Sequence, residues 1–278
     1  MRTFAKAHAC GNDFLIVEGE CDRELAVNLC ARHTGVGADG VEFVTWTNKH
    51  SATEERSTRI RLVNADGSIA EISGNGTRCV AAWMIYEGQK AGRVFEPGTV
   101  LDIETDAGLR SCCLVSSEGN RYEFAADMGV PEIRNRRVTL NDGTGIDGME
   151  VSTGNPHFVI FVDGKDGDDF VSHGRYWEEI GRLICFHHDF PEQTNVEFVR
   201  VLDAKSIAIR IYERGVGPTT SSGTGTCATA AATMFRRGST GSLLVNAPGG
   251  EQRVDWKDTE SELVLTGPAE LIATGEVW

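Results

Sequence analysis

The stretch AEISGNGTRCVAAWM, residues 70–84, passes from a polar, glycine-rich loop directly into an apolar helical pattern. The same change occurs in TSSGTGTCATAAATM, residues 220–234. Each stretch contains a Ser-Gly-x-Gly-Thr loop, which begins at Ser73 in the first and at Ser222 in the second. A glycine-rich turn at a helix N-terminus presents backbone N–H groups and the positive end of the helix dipole, which suit an anion such as a carboxylate. We therefore expect the two loops to face each other across one substrate.

Taken singly, each loop has a simpler interpretation, in which the serine is a helix cap and the glycines serve the turn. The duplication argues against it, because polar residues precede the loops at matching distances, namely Asn64, Glu213 and Arg214. Neither loop has the Gly-Lys-Ser/Thr ending of a phosphate-binding Walker loop. GVGADG (35–40) and GTGIDG (143–148) match the dinucleotide-binding glycine pattern, but neither opens a helix after a strand, which argues against that fold.

Composition and charge narrow the class of protein. The 278 residues include 27 lysines and arginines against 41 aspartates and glutamates, a formal net charge of −14, which disfavours nucleic acid as a partner. No run approaches the ~20 continuous apolar residues of a membrane span, and the start MRTFAKAHACGNDF lacks the apolar region of a secretory signal. We expect a cytoplasmic protein without a membrane partner.

The eight cysteines include no Cys-x-x-Cys pair. In a reducing cytosol this spacing supports neither a disulfide framework nor a zinc site, so we expect most of the cysteines to be buried thiols and no metal to be bound. Cys79 and Cys227 follow the two loop serines by a turn or more of helix, and we expect both to pack in the core.

The secondary-structure pattern is mixed. Short β-rich runs, of which HFVIFVDG (157–164) is one, alternate with helical patterns at 22–33, after Gly76, after Gly225 and near 175–186. Tight turns such as LDAKS and NAPGGEQ indicate hairpins, and hence antiparallel or mixed sheets. The predicted class is α/β with mixed sheets.

Internal similarity predicts a duplicated chain. Pairs of segments recur in the same order at nearly constant spacing: RLVN (61–64) with RIYE (210–213), VEFV (41–44) with VEFV (196–199), and GNDFLIVEG from Gly11 with GNPHFVIFVDG from Gly154. We interpret them as two homologous α/β halves related by a pseudo-two-fold axis, 1–117 and 118–262. The joint is expected near SEGN (117–120), and strands from about 263–278 are expected to return to the first half.

Along the chain lie the segments HACGNDFLIVEG, GVGADGVEF, NADGSIAEISGNGTRC, DMGVP, STGNPHFVIFVD, TNVEFV and ERGVGPTTSSGTGTCA. Together with the segments quoted above, they resemble successive motifs of the diaminopimelate epimerases. These are cofactor-independent amino-acid racemases and epimerases, and the resemblance runs from about residue 4 to about residue 240. It implies two domains, each a mixed sheet wrapped around a central helix, that form a central cleft and assemble into a homodimer. It also implies interconversion of LL- and meso-diaminopimelate without pyridoxal phosphate, for lysine and peptidoglycan synthesis.

The resemblance also implies roles for residues at matching positions. Those expected to bind the distal amino-acid end of the substrate are Asn12, Asn64, Asn155, Asn195, Glu213 and Arg214. Those expected to hold the carboxylate at the reacting carbon are Gly74, Asn75, Gly223 and Thr224. The internal repeat pairs Asn12 with Asn155 independently, although each asparagine could instead be a turn residue.

The chain departs from the family pattern at its two proton-transfer positions, where the family has cysteines and this chain has Ser73 and Ser222. A thiol with a pKa near ~8.5 forms a thiolate far more readily than an unassisted serine hydroxyl loses its proton. Three explanations remain open: deliberate replacement of both cysteines, a natural Ser/Ser branch with altered chemistry, or a catalytically silent homologue. Pro218, where the family usually has an acidic residue, favours natural divergence.

The sequence thus leaves three functional hypotheses. The first is an isomerase of diaminopimelate type, with Ser73 and Ser222 in the acid/base positions. The second is an amino-acid binding protein that performs no chemistry. The third is a related isomerase or dehydratase for another substrate, such as a hydroxyproline or histidine. The Glu213–Arg214 pair argues against this third hypothesis, because it suggests a substrate with a second zwitterionic end.

Overall fold

The computed structural model describes residues 1–47, 57–162 and 170–277. The last two residues of the predicted strand HFVIFVDG lie outside that range. The chain divides into two compact units, one formed by Met1–Asp127 with Thr266–Trp278 and the other by Met128–Leu265.

The elements of residues 1–127 are β1 (Arg2–Ala9), β2 (Asn12–Glu18), α1 (Arg23–Cys30), β3 (Gly40–Thr47), β4 (Ser57–Asn64), β5 (Ile69–Ala70), α2 (Gly74–Lys90), β6 (Val100–Thr105), β7 (Gly108–Glu118) and β8 (Arg121–Asp127). Those of the second unit are β9 (Glu132–Thr139), β10 (Gly145–Ser152), β11 (Pro156–Phe161), β12 (Val171–Ser172), β13 (Arg175–Tyr176), α3 (Trp177–Cys185), β14 (Asn195–Val201), β15 (Ser206–Glu213), β16 (Gly217–Thr219), α4 (Gly223–Arg237), β17 (Gly241–Ala247) and β18 (Gly250–Trp256). The last strand, β19 (Leu263–Val277), begins in the second unit and continues into the first.

The sheet of the first unit closes around α2. β1 and β2 form an antiparallel hairpin, β2 pairs parallel with β3, and β3 pairs antiparallel with β4. The sheet continues through parallel β6 to antiparallel β7 and β8. β19 pairs with β8 and, antiparallel, with β1, which completes the ring. Closure removes sheet edges and leaves α2 surrounded by strands.

The sequence of α2 suits this enclosed position. Its first ten residues, Gly74–Trp83, are all buried, and small residues there allow strands to approach on several sides. The core around it contains Ile16, Val44, Ile85 and Phe124. A helix buried all round is stabilised by packing of all its faces rather than of one apolar stripe.

The second unit repeats the same series of pairings. β10 pairs antiparallel with β11, β11 parallel with β14, and β14 antiparallel with β15. The short strand β16 then precedes α4, and β17 returns parallel to β15 before the β17–β18 hairpin. All residues from Gly223 to Met234 of α4 are buried, and the helix ends at Gly238, whose φ of 61° is the left-handed conformation that glycine tolerates.

The mixed α/β class, with a sheet wrapped around a central helix, is confirmed. The unit boundaries differ from the sequence-based ones, since residues 117–120 form the tight end of the β7–β8 hairpin and the division follows Asp127. At the C-terminus the return to the first unit begins at Thr266, within β19. The pseudo-two-fold relation of the halves stays a prediction. None of the helices that the structure describes is long and apolar enough to cross a membrane.

Candidate functional site

Ser73 caps the buried helix of the first unit. Its extended backbone (φ −127°, ψ 118°) precedes α2, and its Oγ accepts a hydrogen bond from the Gly76 N–H at 3.0 Å. The Thr77 N–H donates to the Ser73 carbonyl and the Thr77 hydroxyl donates to the same oxygen. Ser73 Oγ is therefore held beside the positive end of the α2 dipole, where developing negative charge is stabilised.

A chain of side-chain hydrogen bonds joins the β1–β2 turn to α2. Cys10 and Gly11, both at positive φ, make the two-residue turn that places Asn12 at the start of β2. Asn75 Nδ2 donates to Asn12 Oδ1 at 3.1 Å, and Arg78 donates to Asn75 Oδ1 at 2.6 Å. These contacts bring together two of the predicted substrate-binding residues, Asn12 and Asn75.

Asn12 and Asn64 are each fixed by a polar neighbour. Asn12 Nδ2 donates to Asp39 Oδ2 at 2.8 Å, and Asp39 also pairs with Arg32 at 2.7 Å. Asn64, the last residue of β4, donates to Ser68 Oγ at 3.0 Å across the turn to β5. Because Gly40 is the register partner of Asn64, the Asp39 segment and Asn64 lie at the same end of adjacent strands.

The second unit presents the equivalent loop more deeply. Ser222, only 8% exposed, caps α4 by accepting from the Gly225 N–H at 3.2 Å. Its Oγ lies 3.5 Å from the Thr224 hydroxyl, which accepts from Asn155 Nδ2 at 3.3 Å. Three predicted site residues, Ser222, Thr224 and Asn155, thus form one connected group.

A buried His157–Glu197 pair continues this group inwards. His157 Nε2 lies 2.9 Å from Asn155 Oδ1 and its Nδ1 lies 2.7 Å from Glu197 Oε1, with both side chains of the pair fully buried. Three side-chain contacts, which run through Asn155 and Thr224, connect His157 with Ser222.

Asn195 and Arg214 meet at the end of β15. The backbone N–H of Arg214 donates to Asn195 Oδ1 at 2.8 Å, while Asn195 Nδ2 donates to the Pro156 carbonyl at 3.1 Å. The Arg214 guanidinium donates to the Glu192 carbonyl at 3.1 Å. Glu213, half-buried, precedes Arg214 in the chain. The group joins the ends of β11, β14 and β15.

The second glycine of each loop accommodates a buried glutamate. A Cβ on Gly76 would overlap Glu42 Oε1, and a Cβ on Gly225 would lie 2.9 Å from Glu197 Oε1. The same two Cβ positions lie 3.2 Å from Ser73 Cβ and 3.4 Å from Ser222 Oγ. The Glu42 carboxyl group therefore lies beside the first turn of α2, and the Glu197 carboxyl group lies beside the first turn of α4.

The two buried glutamates and His157 were not among the site residues predicted from the sequence. Repetition of VEFV at 41–44 and 196–199 was the available signal, because it places Glu42 and Glu197 at equivalent positions. A fully buried acidic residue within an apolar, strand-forming run is unusual unless it is paired, which makes it a candidate functional residue. The predicted residues of each unit lie together within that unit, and the approach of the two loops stays a prediction.

Two of the cysteines lie in the buried helices that follow the loop serines. Cys79 and Cys227 are fully buried, and burial raises the pKa of the Cys79 thiol far above its usual value. Among the described residues, His187, His188 and Asp189 are the one grouping close enough to hold a metal ion. His187 already uses both ring nitrogens, since Nδ1 accepts from the Asp189 N–H and Nε2 faces the Thr139 carbonyl.

Sequence comparison decides the family. The family model described as "Diaminopimelate epimerase" matches residues 4–133 and 149–272. The chain belongs to the diaminopimelate epimerase family. Relatives named diaminopimelate epimerase include one from Desulforudis audaxviator, 36% identical with 98% of each chain covered. Another, from Corynebacterium glutamicum, is 36% identical with 99% of this chain and 97% of the relative covered. The protein is accordingly an isomerase.

Solved structures agree with the diaminopimelate epimerase fold. A probable proline racemase from Agrobacterium radiobacter matches with a TM-score of 0.73 at 16% identity, over 100% of this chain and 93% of that one. A hydroxyproline epimerase from Agrobacterium vitis matches with a TM-score of 0.72 at 16% identity, over 99% and 91%. At this identity the likeness concerns the fold alone.

Proposed function

We propose that this family member interconverts LL- and meso-2,6-diaminopimelate by two-base proton transfer at the α-carbon, with no cofactor. Ser73 and Ser222 occupy the acid/base positions. The observation that carries the proposal is that each serine caps a buried, glycine-led helix whose second glycine lies against a buried glutamate. The name shared by relatives about 36% identical over nearly the whole chain supports the choice of substrate.

The reaction needs one group to remove the α-proton and another to return a proton on the opposite face. In the proposal Ser73 and Ser222 perform these two steps, and their order reverses with the direction of the reaction. Backbone N–H groups at Gly74 and Gly223, in the first turns of α2 and α4, hold the α-carboxylate. The same N–H groups stabilise the charge that develops as the proton leaves.

The distal amino-acid end of the substrate requires acceptors for an ammonium group and donors for a carboxylate. We assign this end to Asn12, Asn64, Asn155, Asn195, Glu213 and Arg214. Support comes from the hydrogen bonds of these side chains, which fix Asn12 through Asp39 and Asn195 through Arg214. Arg214 supplies a planar guanidinium suited to a carboxylate, and Glu213 supplies the opposite charge. A cytoplasmic homodimer remains part of the proposal.

A direct test is proton NMR of diaminopimelate in D2O. The unmodified protein is expected to remove the α-proton signal, because each abstracted proton exchanges with solvent before return. Ser73→Cys/Ser222→Cys is expected to exchange faster, since a thiol is the better acid. Ser73→Ala/Ser222→Ala serves as the control without either group. If neither the unmodified protein nor Ser73→Cys/Ser222→Cys exchanges the α-proton, diaminopimelate is not the substrate.

A second candidate function is binding of the same amino acid without turnover. The two serines favour it, because a hydroxyl without an effective base does not abstract an α-proton. It predicts binding of diaminopimelate, measured by calorimetry, together with exchange by the Ser73→Cys/Ser222→Cys protein alone. Exchange of the α-proton by the unmodified protein excludes this candidate.

A further inference from the structure

Glu42 is a fully buried acidic side chain in the middle of β3. Its register partners on the neighbouring strands, Ile16 and Leu62, are apolar. Neither of its carboxyl oxygens has a hydrogen-bond partner among the described residues. A buried carboxyl without partners costs several kcal/mol even when it is neutral, so its presence in the core requires an explanation.

The carboxyl group of Glu42 faces the start of α2. Val44, two residues along the same strand, packs in the core around α2, whereas Phe43 packs in the separate cluster that contains α1. Glu42 therefore lies on the α2 side of the sheet. There its Oε1 occupies the space that a side chain on Gly76 would fill, next to Ser73 Cβ.

The groups that act electrostatically on the Cys79 thiol of α2 are Arg78, Glu42, Cys10 and Asp13. The Arg78 guanidinium is engaged by Asn75 Oδ1 and the Pro268 carbonyl, while Asp13 pairs with Lys6 at 2.9 Å. Burial alone raises the pKa of Glu42 to about 8.

Among the described residues, Ser73 makes no hydrogen bond to Glu42. Its Oγ uses a lone pair to accept from the Gly76 N–H, so that the hydroxyl hydrogen remains available for donation. The equivalent glutamate of the second unit is already engaged, because Glu197 Oε1 contacts His157. Among the described residues, the glutamate of the first unit has no hydrogen-bond partner, whereas the glutamate of the second unit is paired with His157.

We propose that during the reaction the Ser73 hydroxyl turns towards Glu42, whose carboxylate accepts its proton and thereby makes Ser73 an effective base. As the Ser73 O–H bond breaks and an O–H bond forms on Glu42, a lone pair of Ser73 Oγ takes the substrate α-proton. The electron pair of the broken Cα–H bond remains on the substrate. In the reverse direction Glu42 returns its proton to Ser73 as Ser73 protonates the α-carbon. This inference rests on the proposed function, and Glu42 acts through Ser73 rather than on the substrate.

The first test measures α-proton exchange of diaminopimelate against pH. Glu42→Gln is expected to lower the exchange rate about 100-fold, the usual minimum for loss of a general base, and to remove the inflection near pH 8. Glu42→Asp is expected to keep that inflection at an intermediate rate. Glu87→Gln, in the last turns of the same helix, is the matched control and should exchange like the unmodified protein. Equal rates and profiles for Glu42→Gln and the unmodified protein would overturn the inference while leaving the proposed function intact.

The second test needs no turnover. Infrared spectroscopy at about pH 6 should detect the carbonyl stretch of a protonated carboxylic acid that Glu42→Gln lacks and that fades as the pH passes about 8. Ser73→Ala should shift this band because it removes the hydroxyl neighbour, and Ser222→Ala should not. If Ser73→Ala shifts the band but the protein does not exchange the α-proton of diaminopimelate, the interaction between Glu42 and Ser73 is supported and diaminopimelate is not the substrate. If Ser73→Ala leaves the band unchanged, the proposed interaction between Glu42 and Ser73 is wrong.

Discussion

At the scale of single residues, a missing side chain decides where the buried carboxyl groups can lie. Gly76 and Gly225 have no Cβ, and each leaves room for a glutamate beneath a capping serine. The sequence predicted these glycines as loop residues, because Ser-Gly-x-Gly-Thr is a recognisable helix start. It could not predict what fills the space, since strand β3 is distant in sequence and the contact forms only when the sheet wraps around α2.

The raised pKa of Glu42 makes the stability of the protein depend on pH. Its pKa is about 8 when folded against a reference of 4.5, so the folded state holds the proton more tightly and loses stability as pH rises between those values. Relative to Glu42→Gln, the free energy of unfolding should fall by about 1.4 kcal/mol per pH unit across that window, on the order of 5 kcal/mol in all, and level off above it. Urea unfolding from about pH 5 to about pH 9 measures the difference.

Phe43→Leu is the matched control, because it changes packing on the other face of the same strand and adds no titratable group. Its effect on the free energy of unfolding should be the same at every pH. A difference between the unmodified protein and Glu42→Gln that also stays constant with pH would contradict an uncharged, buried Glu42.

At the scale of elements, helix starts were the best-predicted feature. The helical patterns expected from residue 22, after Gly76 and after Gly225 correspond to α1, α2 and α4, whose N-caps are Asp22, Ser73 and Ser222. Helix ends were less accurate, since α1 stops at Cys30 rather than near His33. Its last carbonyls instead accept from a following glycine-rich turn, in which Val36 and Gly37 both donate to the Leu29 carbonyl.

Capping and proton transfer by Ser73 can be separated with one substitution. Ser73→Asn retains an N-cap acceptor, so its free energy of unfolding should lie within a few tenths of a kcal/mol of that of the unmodified protein. Ser73→Ala removes the cap and should cost about 1 kcal/mol. Both variants lack a hydroxyl and should lose α-proton exchange by NMR. Exchange that survives in Ser73→Asn would show that Ser73 serves the helix and not the reaction.

At the scale of the whole molecule, the chain's duplicated motifs predicted two α/β units, and long-range pairing determines where each unit ends. The first unit depends on β19, a strand from the far end of the chain, which pairs with β1 along its length from Arg2↔Val277 to His8↔Glu270. The sequence suggested only that strands from about residue 263 return. It placed the joint at 117–120 because polar turn residues look alike, whether they end a hairpin or connect two domains.

Because β19 completes the ring around α2, its loss should affect the two units unequally. Deletion of residues 266–278 removes the partner of β1 and the Pro268 carbonyl that accepts from the buried Arg78 side chain. Hydrogen exchange should then lose protection in β1 and α2, while the β17–β18 hairpin of the other unit keeps it. Ile272→Ala, which alters an exposed side chain on the same strand, should leave both patterns unchanged. Protection of β1 that survives the deletion would mean that β2 and α2 suffice to hold it, and that closure by β19 is not what stabilises the first unit.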